Sequence, residues 1–185
     1  GGYSNIAIGA ARVMGFRLME NFHLPYFSLN VKEFWKRWHI SLSSWFMDYV
    51  YIPLGGNRCK YPRHLLNLMI TFLVSGLWHG ANWTFVIWGG LHGTYQVIGN
   101  IWHKFVHKPE YKNTISRLIS MLFCFSIVSF AWIFFRANNV NDAFVIVGKI
   151  FSDWGRPYVD IMVFACGLTA LFILIFKDTK DNFKW

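Results

Sequence analysis

The sequence predicts an all-α, polytopic transmembrane protein with interfacial amphipathic helices, and three observations carry that reading. Of its 185 residues, 55% are hydrophobic and 20% aromatic, above what a soluble domain usually carries. The stretch from Leu65 to Trp102 contains no Asp, Glu, Lys or Arg. A spanning helix needs about 20 mostly apolar residues, so this stretch has room for nearly two passes, or for one pass and a re-entrant piece. The net charge of +9 sits in short basic segments between apolar runs, as in juxtamembrane loops beside anionic headgroups. That distribution argues for membrane lipid as a partner and against nucleic acid.

Each element follows in order. Gly1 to Phe16 is rich in small residues, with Gly9, Ala10 and Ala11 suited to close helix packing, and reads as the end of a spanning helix broken by Arg12. Pro25, after His23 and Leu24, marks a connector. A helix should begin near Ser28 or Asn30, whose side chains accept from free backbone N–H groups, with Glu33 favourable in its first turn. Phe34, Trp35, Trp38, Leu42, Trp45, Phe46 and Tyr49 then recur at spacings of three and four. That spacing predicts one amphipathic, interface-lying helix ended by Pro53 and Gly55-Gly56.

Asn57 to His64 reads as a basic loop into the uncharged stretch, and Lys104 to Arg117 as the basic loop out of it. Leu118 to Phe135, bracketed by Arg117 and Arg136, is the plainest spanning helix. Asn138 to Phe151 should be a short amphipathic helix with Ala143, Phe144, Val147 and Ile150 on one side, and Tyr158 to Phe176 a further span. With no initiator Met or signal peptide at Gly1-Gly2, the chain reads as a fragment of a longer protein. All of residues 1–185 are expected to belong to a single transmembrane domain whose N-terminal part is absent.

The middle of the uncharged stretch carries the chemistry. His79 lies between Trp78 and Gly80 with Asn82 close behind, and His92 between Gly89-Gly90 and Gly93. Ionisable groups at membrane depth are expensive and usually face a protein interior or wet cavity at a functional site. His39 and Asp48 complete the candidates. Aromatic neighbours withhold water from an imidazole and favour its neutral form, which can take a proton from a hydroxyl attacking a carbonyl. The competing reading is that these histidines merely bond backbone carbonyls and hold helices together. On one continuous helix His79 and His92, thirteen positions apart, would point in different directions. Both line one cavity only if the chain breaks near Gly89-Gly90. Cys59, Cys124 and Cys166 show no metal-ligand spacing and no disulfide framework, and no phosphate-cradling glycine loop occurs, so no metal is expected.

The segments GYSNIAIGAARVMGF, ENFHLPYFS, FWKRWHISLSSWFMDYVYIPLGGNR, FLVSGLWHGANWTFVIWGGLHG and FAWIFFRANNVNDAF resemble, in order, successive blocks of the bacterial branch of the membrane-bound O-acyltransferase family. The wording is most similar to membrane subunits of alginate O-acetyltransferases, with peptidoglycan O-acetylating and teichoic-acid D-alanylating members as relatives. The resemblance implies that His79, in GLWHGANW, is the active-site histidine, and that His39, in FWKRWHISLS, orients substrate or polarises a carbonyl. It matches His92, in GGLHG, to a less decisive histidine with a packing role; beside it, Trp38, Trp78 and Asn82 are candidate substrate contacts, as is His92 itself. Asp48 and Tyr49 match a structural DY pair. Relatives usually carry Asp where this chain has Asn5, and often Arg where it has Met47.

The implied reaction moves an acyl group, most simply acetyl, from a cytosolic thioester co-substrate such as acetyl-CoA to a hydroxyl destined for a cell-surface polysaccharide. No tightly bound cofactor is implied. A periplasmic or extracellular acyl-transfer partner and a multi-pass place in a bacterial inner membrane are. Trp35, Trp38, Trp78 and Trp83 would keep water from the acyl group. The alternatives are D-alanyl transfer to teichoic acid, a transporter or channel with histidines along a proton or solute path, and a non-catalytic scaffold for polymer export.

Overall fold

The computed structural model describes residues 2–106, 113–153, 162 and 165–169, and within them every regular element is helical. In chain order these are α1 (Gly2–Val13), a 3₁₀ turn (Pro25–Phe27), α2 (Val31–Arg37), α3 (Ile40–Phe46), a π turn (Met47–Tyr51), α4 (Tyr61–His79), α5 (Trp83–Phe105), α6 (Thr114–Arg136) and α7 (Val140–Ser152). The chain divides into two compact units, Gly1–Ala143 and Phe144–Trp185. Every candidate site residue belongs to the first. The span expected over Tyr158 to Phe176 lies mostly outside the described residues.

The start of α2 is built as its sequence suggests. Asn30 Oδ1 accepts from Glu33 N at 2.9 Å, while Glu33 Oε2 accepts from Leu29 N at 2.8 Å and Oε1 pairs with Arg37 at 2.6 Å. These bonds satisfy backbone donors that the first helical turn leaves free.

The single amphipathic helix expected to run on to Pro53 does not form. Trp38 is extended, and His39 turns left-handed at φ 45°, ψ 56°, so the segment breaks into α2 and α3. The aromatic periodicity of three and four survives because both pieces are helical, but it cannot reveal a break that keeps the helical register on either side. The upstream connector clasps this break. Asn21 O accepts from Ile40 N, Asn21 Oδ1 accepts from both Ser41 N and Ser41 Oγ, and His23 N donates to Arg37 O.

The uncharged stretch is two antiparallel helices, α4 and α5, whose mutual contact is the most extensive in the molecule. The break lies at Gly80, φ 154°, and not at Gly89-Gly90, which sits inside continuous α5. Asn82 starts α5 by accepting from Thr84 N at 3.1 Å. A Cβ added to Gly76 would strike the Phe85 carbonyl oxygen and one added to Gly89 the Phe72 carbonyl oxygen, so the two backbones touch. At the other end Lys104 Nζ lies 3.6 Å from the Tyr61 ring centre, and His64 bridges Tyr51 Oη at 2.8 Å and Asn100 Oδ1 at 3.5 Å. Residues 61–64, expected in a basic loop, therefore form the first turn of α4, with Pro62 at a position where a missing N–H costs nothing.

α6 packs against α5 and the 3₁₀ turn. Among the described residues it alone is long and apolar enough to cross a membrane, as expected for the run between Arg117 and Arg136. Asn113 caps it, accepting from Ser116 N at 2.8 Å. Two clusters of buried side chains join these helices. Val31, Phe34, Cys124 and Val128 form one, and Trp88, Ala131, Phe134 and Ala143 the other, with Trp35, Tyr95 and Trp132 packed against both.

Candidate functional site

His79 is the last residue of α4, delivered where the helix ends because Gly80 adopts a backbone that other residues rarely reach. Its ring is walled by aromatic side chains from three elements. Trp78 lies at 5.0 Å, Phe85 at 6.1 Å, Trp88 at 5.2 Å and Phe135 at 5.0 Å between ring centres. Neither ring nitrogen of His79 has a hydrogen-bond partner among the described residues, so both remain available for proton transfer.

His39 stands at the α2–α3 break with its Nδ1 buried and unpartnered. The two imidazoles lie within electrostatic range of each other although forty positions apart in sequence. A row of rings links them: His39 meets Phe22 at 5.9 Å, Phe22 meets Trp38 at 4.9 Å, Trp38 meets Trp132 at 5.3 Å, and Trp132 meets Phe135 at 5.0 Å. The left-handed backbone of His39 costs about 1–2 kcal/mol for a residue with a Cβ. Such strain persists only where the surroundings hold it, here the Asn21–His23 clasp. His39→Gly is expected to unfold at higher denaturant than His39→Ala, because both lose the ring but only glycine enters this backbone region freely. Equal midpoints for the purified variants would refute the strain.

The break at Gly80, together with the helical hairpin, brings His92 near His79 without any interruption of α5. Trp88 lies between them, 5.2 Å from the His79 ring and 5.0 Å from the His92 ring. His92 is fully buried, and its Nδ1 accepts from Trp35 Nε1 at 3.2 Å. The histidine thus bonds a side chain from another element rather than a backbone carbonyl.

The remaining sequence candidates are dispersed. Trp38 is partly buried and stacks on Phe34 at 5.6 Å, whereas Trp78 is 58% and Trp83 74% exposed. The Asn82 side chain is occupied structurally, its Oδ1 by Thr84 N and its Nδ2 by Asn138 O at 2.9 Å. Asp48 is exposed on the π turn, and Tyr49, also exposed, meets Trp45 at 5.2 Å. Sequence reasoning missed Trp88, Asn21 and the pairing of Trp35 with His92. Only Trp88 carried a usable signal, since Thr84, Trp88 and His92 recur every four residues and so share one face of α5.

A family model described as MBOAT, the membrane-bound O-acyltransferase family, matches residues 2–140. A probable alginate O-acetylase of Azotobacter vinelandii is 47% identical over 155 residues, covering 83% of this chain and 30% of the relative. One from Pseudomonas putida is 44% identical over 190 residues, covering 99% and 38%. A peptidoglycan O-acetyltransferase of Helicobacter pylori is 41% identical over 146 residues, covering 79% and 27%. The chain thus spans about a third of the length of these relatives.

Proposed function

The chain belongs to the membrane-bound O-acyltransferase family, and from that membership we propose that it is part of a polytopic enzyme of a bacterial inner membrane that transfers an acetyl group from a cytosolic thioester to a hydroxyl bound for a cell-surface polysaccharide. The observation that carries this reading is His79, with both ring nitrogens unengaged inside an aromatic wall and a second histidine, His39, within electrostatic range.

The chemistry follows from the rings. A hydroxyl is a poor nucleophile until a base removes its proton during attack. The acceptor oxygen attacks the thioester carbonyl carbon while His79 takes the hydroxyl proton. As the tetrahedral species collapses, the C–S bond breaks and the leaving thiolate receives that proton from His79. His39, with its buried Nδ1 unpartnered, orients the acceptor hydroxyl toward His79. Phe85, Trp88 and Phe135, which wall the His79 ring, limit water near the acyl group, which favours transfer over hydrolysis. The acceptor oxygen belongs to the polysaccharide or to a periplasmic partner protein that relays the acetyl group to it. The likeness to alginate O-acetylases supports a polysaccharide destination. Acetyl-CoA serves as co-substrate rather than as a bound cofactor.

The full-length protein, reconstituted in liposomes, should transfer labelled acetyl from acetyl-CoA to an added alginate oligosaccharide or to its acceptor protein. Absence of transfer from any acyl thioester, accompanied by a proton or solute flux, would replace this reading with a transporter.

A further inference from the structure

The Trp35–His92 bond fixes more than a side-chain position. An indole N–H can only donate, so His92 Nδ1 must be the acceptor, and the neutral ring then carries its proton on Nε2. That Nε2–H is buried and has no acceptor. One helical turn earlier the Nε1–H of Trp88 is also buried and without an acceptor. The two rings are 5.0 Å apart on one face of α5, and the Trp88 ring lies 5.2 Å from that of His79. A buried polar group left without a partner destabilises the fold that holds it. Two donors on neighbouring rings, both lacking acceptors and one of them on the ring that meets the proposed base, describe a seat for an oxygen that the described residues do not supply.

We propose that His92 Nε2–H and Trp88 Nε1–H bind the acyl carbonyl oxygen of the thioester, with Trp35 as the positioning residue that holds the His92 proton on Nε2. This rests on the acyl-transfer reading above. The carbonyl oxygen gains negative charge as the hydroxyl attacks, so preorganised donors aimed at it stabilise the transition state more than the ground state. The arrangement divides the labour. His79 and His39 handle the hydroxyl, while α5 holds the carbonyl. Trp35→Phe keeps an aromatic ring but removes the donor, so the His92 proton is free to move to Nδ1 and Nε2 ceases to donate.

The test uses the full-length protein in lipid nanodiscs and two inert probes, S-acetonyl-CoA, which keeps a carbonyl, and S-propyl-CoA, which lacks it. Wild type should bind the ketone about tenfold more tightly than the propyl probe, a difference within the range of one hydrogen bond. Trp35→Phe and His92→Leu should each lower that ratio several-fold, to the part the Trp88 N–H supports, with S-propyl-CoA affinity unchanged, a pattern that loss of folding does not produce. Acetyl transfer should fall about tenfold in Trp35→Phe. In His92→Leu it should fall about 100-fold, as when one oxyanion donor is removed. His92→Gln, which retains an N–H, should recover part of both. A carbonyl preference undiminished in both Trp35→Phe and His92→Leu overturns the proposal, as does a wild type that transfers acetyl yet shows no preference. Failure of the acyl-transfer reading looks different, because wild type would then transfer no acetyl from any thioester.

Discussion

His79→Gln in the full-length protein is expected to lower the acetyl-transfer rate about 10²–10⁴-fold, the usual contribution of a positioned general base. Gln approximates the volume and polarity of the imidazole but cannot accept a proton at neutral pH. The ring neighbours Trp78, Phe85, Trp88 and Phe135 should therefore remain in place. The loss should appear in kcat, with little change in the KM for the thioester, because the proton is transferred only as the reaction proceeds. Acetyl content of the surface polymer at matched membrane expression is the cellular counterpart. An unchanged rate would remove His79 from the chemistry and return it to packing.

The second large effect concerns the fold that places His79. Gly76→Leu or Gly89→Leu should prevent accumulation of folded protein, because each added Cβ runs into a backbone carbonyl of the facing helix. Backbone cannot swing aside as a flexible side chain can, so relief requires α4 and α5 to separate along their length. Overpacking that side chains can absorb costs about 1–3 kcal/mol, and this one exceeds it. Gly99→Ala on the same helix meets nothing within 4 Å and serves as the control. It should be neutral or stabilising by up to about 1 kcal/mol through helix propensity. Fluorescence-detected size exclusion of detergent-solubilised variants separates the outcomes, and a monodisperse Gly89→Leu protein at wild-type yield would contradict the seam.

Part of this arrangement was legible in the sequence. The capping pair Asn30–Glu33 and the span between Arg117 and Arg136 depend on local chemistry, which residue order states directly. A chain break between His79 and His92 is the condition for their approach; it exists, but at Gly80 and not at the expected Gly89-Gly90. Gly89 and Gly93, four apart, signalled a close helix contact rather than a chain break, and Gly80 was the true end of α4. The left-handed turn at His39 was not legible at all. Histidine enters that backbone more readily than most side chains but still rarely, and the conformation is held from Asn21 and His23, eighteen and sixteen positions upstream. The Trp35–His92 bond joins residues 57 positions apart and leaves no periodic trace.

The glycine seam has a consequence for how the pocket can vary. Around His79 one side, bearing Phe85 and Trp88, is registered by main chain against main chain. The adjoining side, bearing Phe135, comes from α6, which meets α5 through interlocked side chains, Phe85 and Trp88 each 5.1 Å from the Phe135 ring. Substitutions at Phe135 reshape the second side and the rings it touches without moving the α4–α5 main-chain register. The molecule therefore joins a surface registered by main chain to one set by side-chain packing alone.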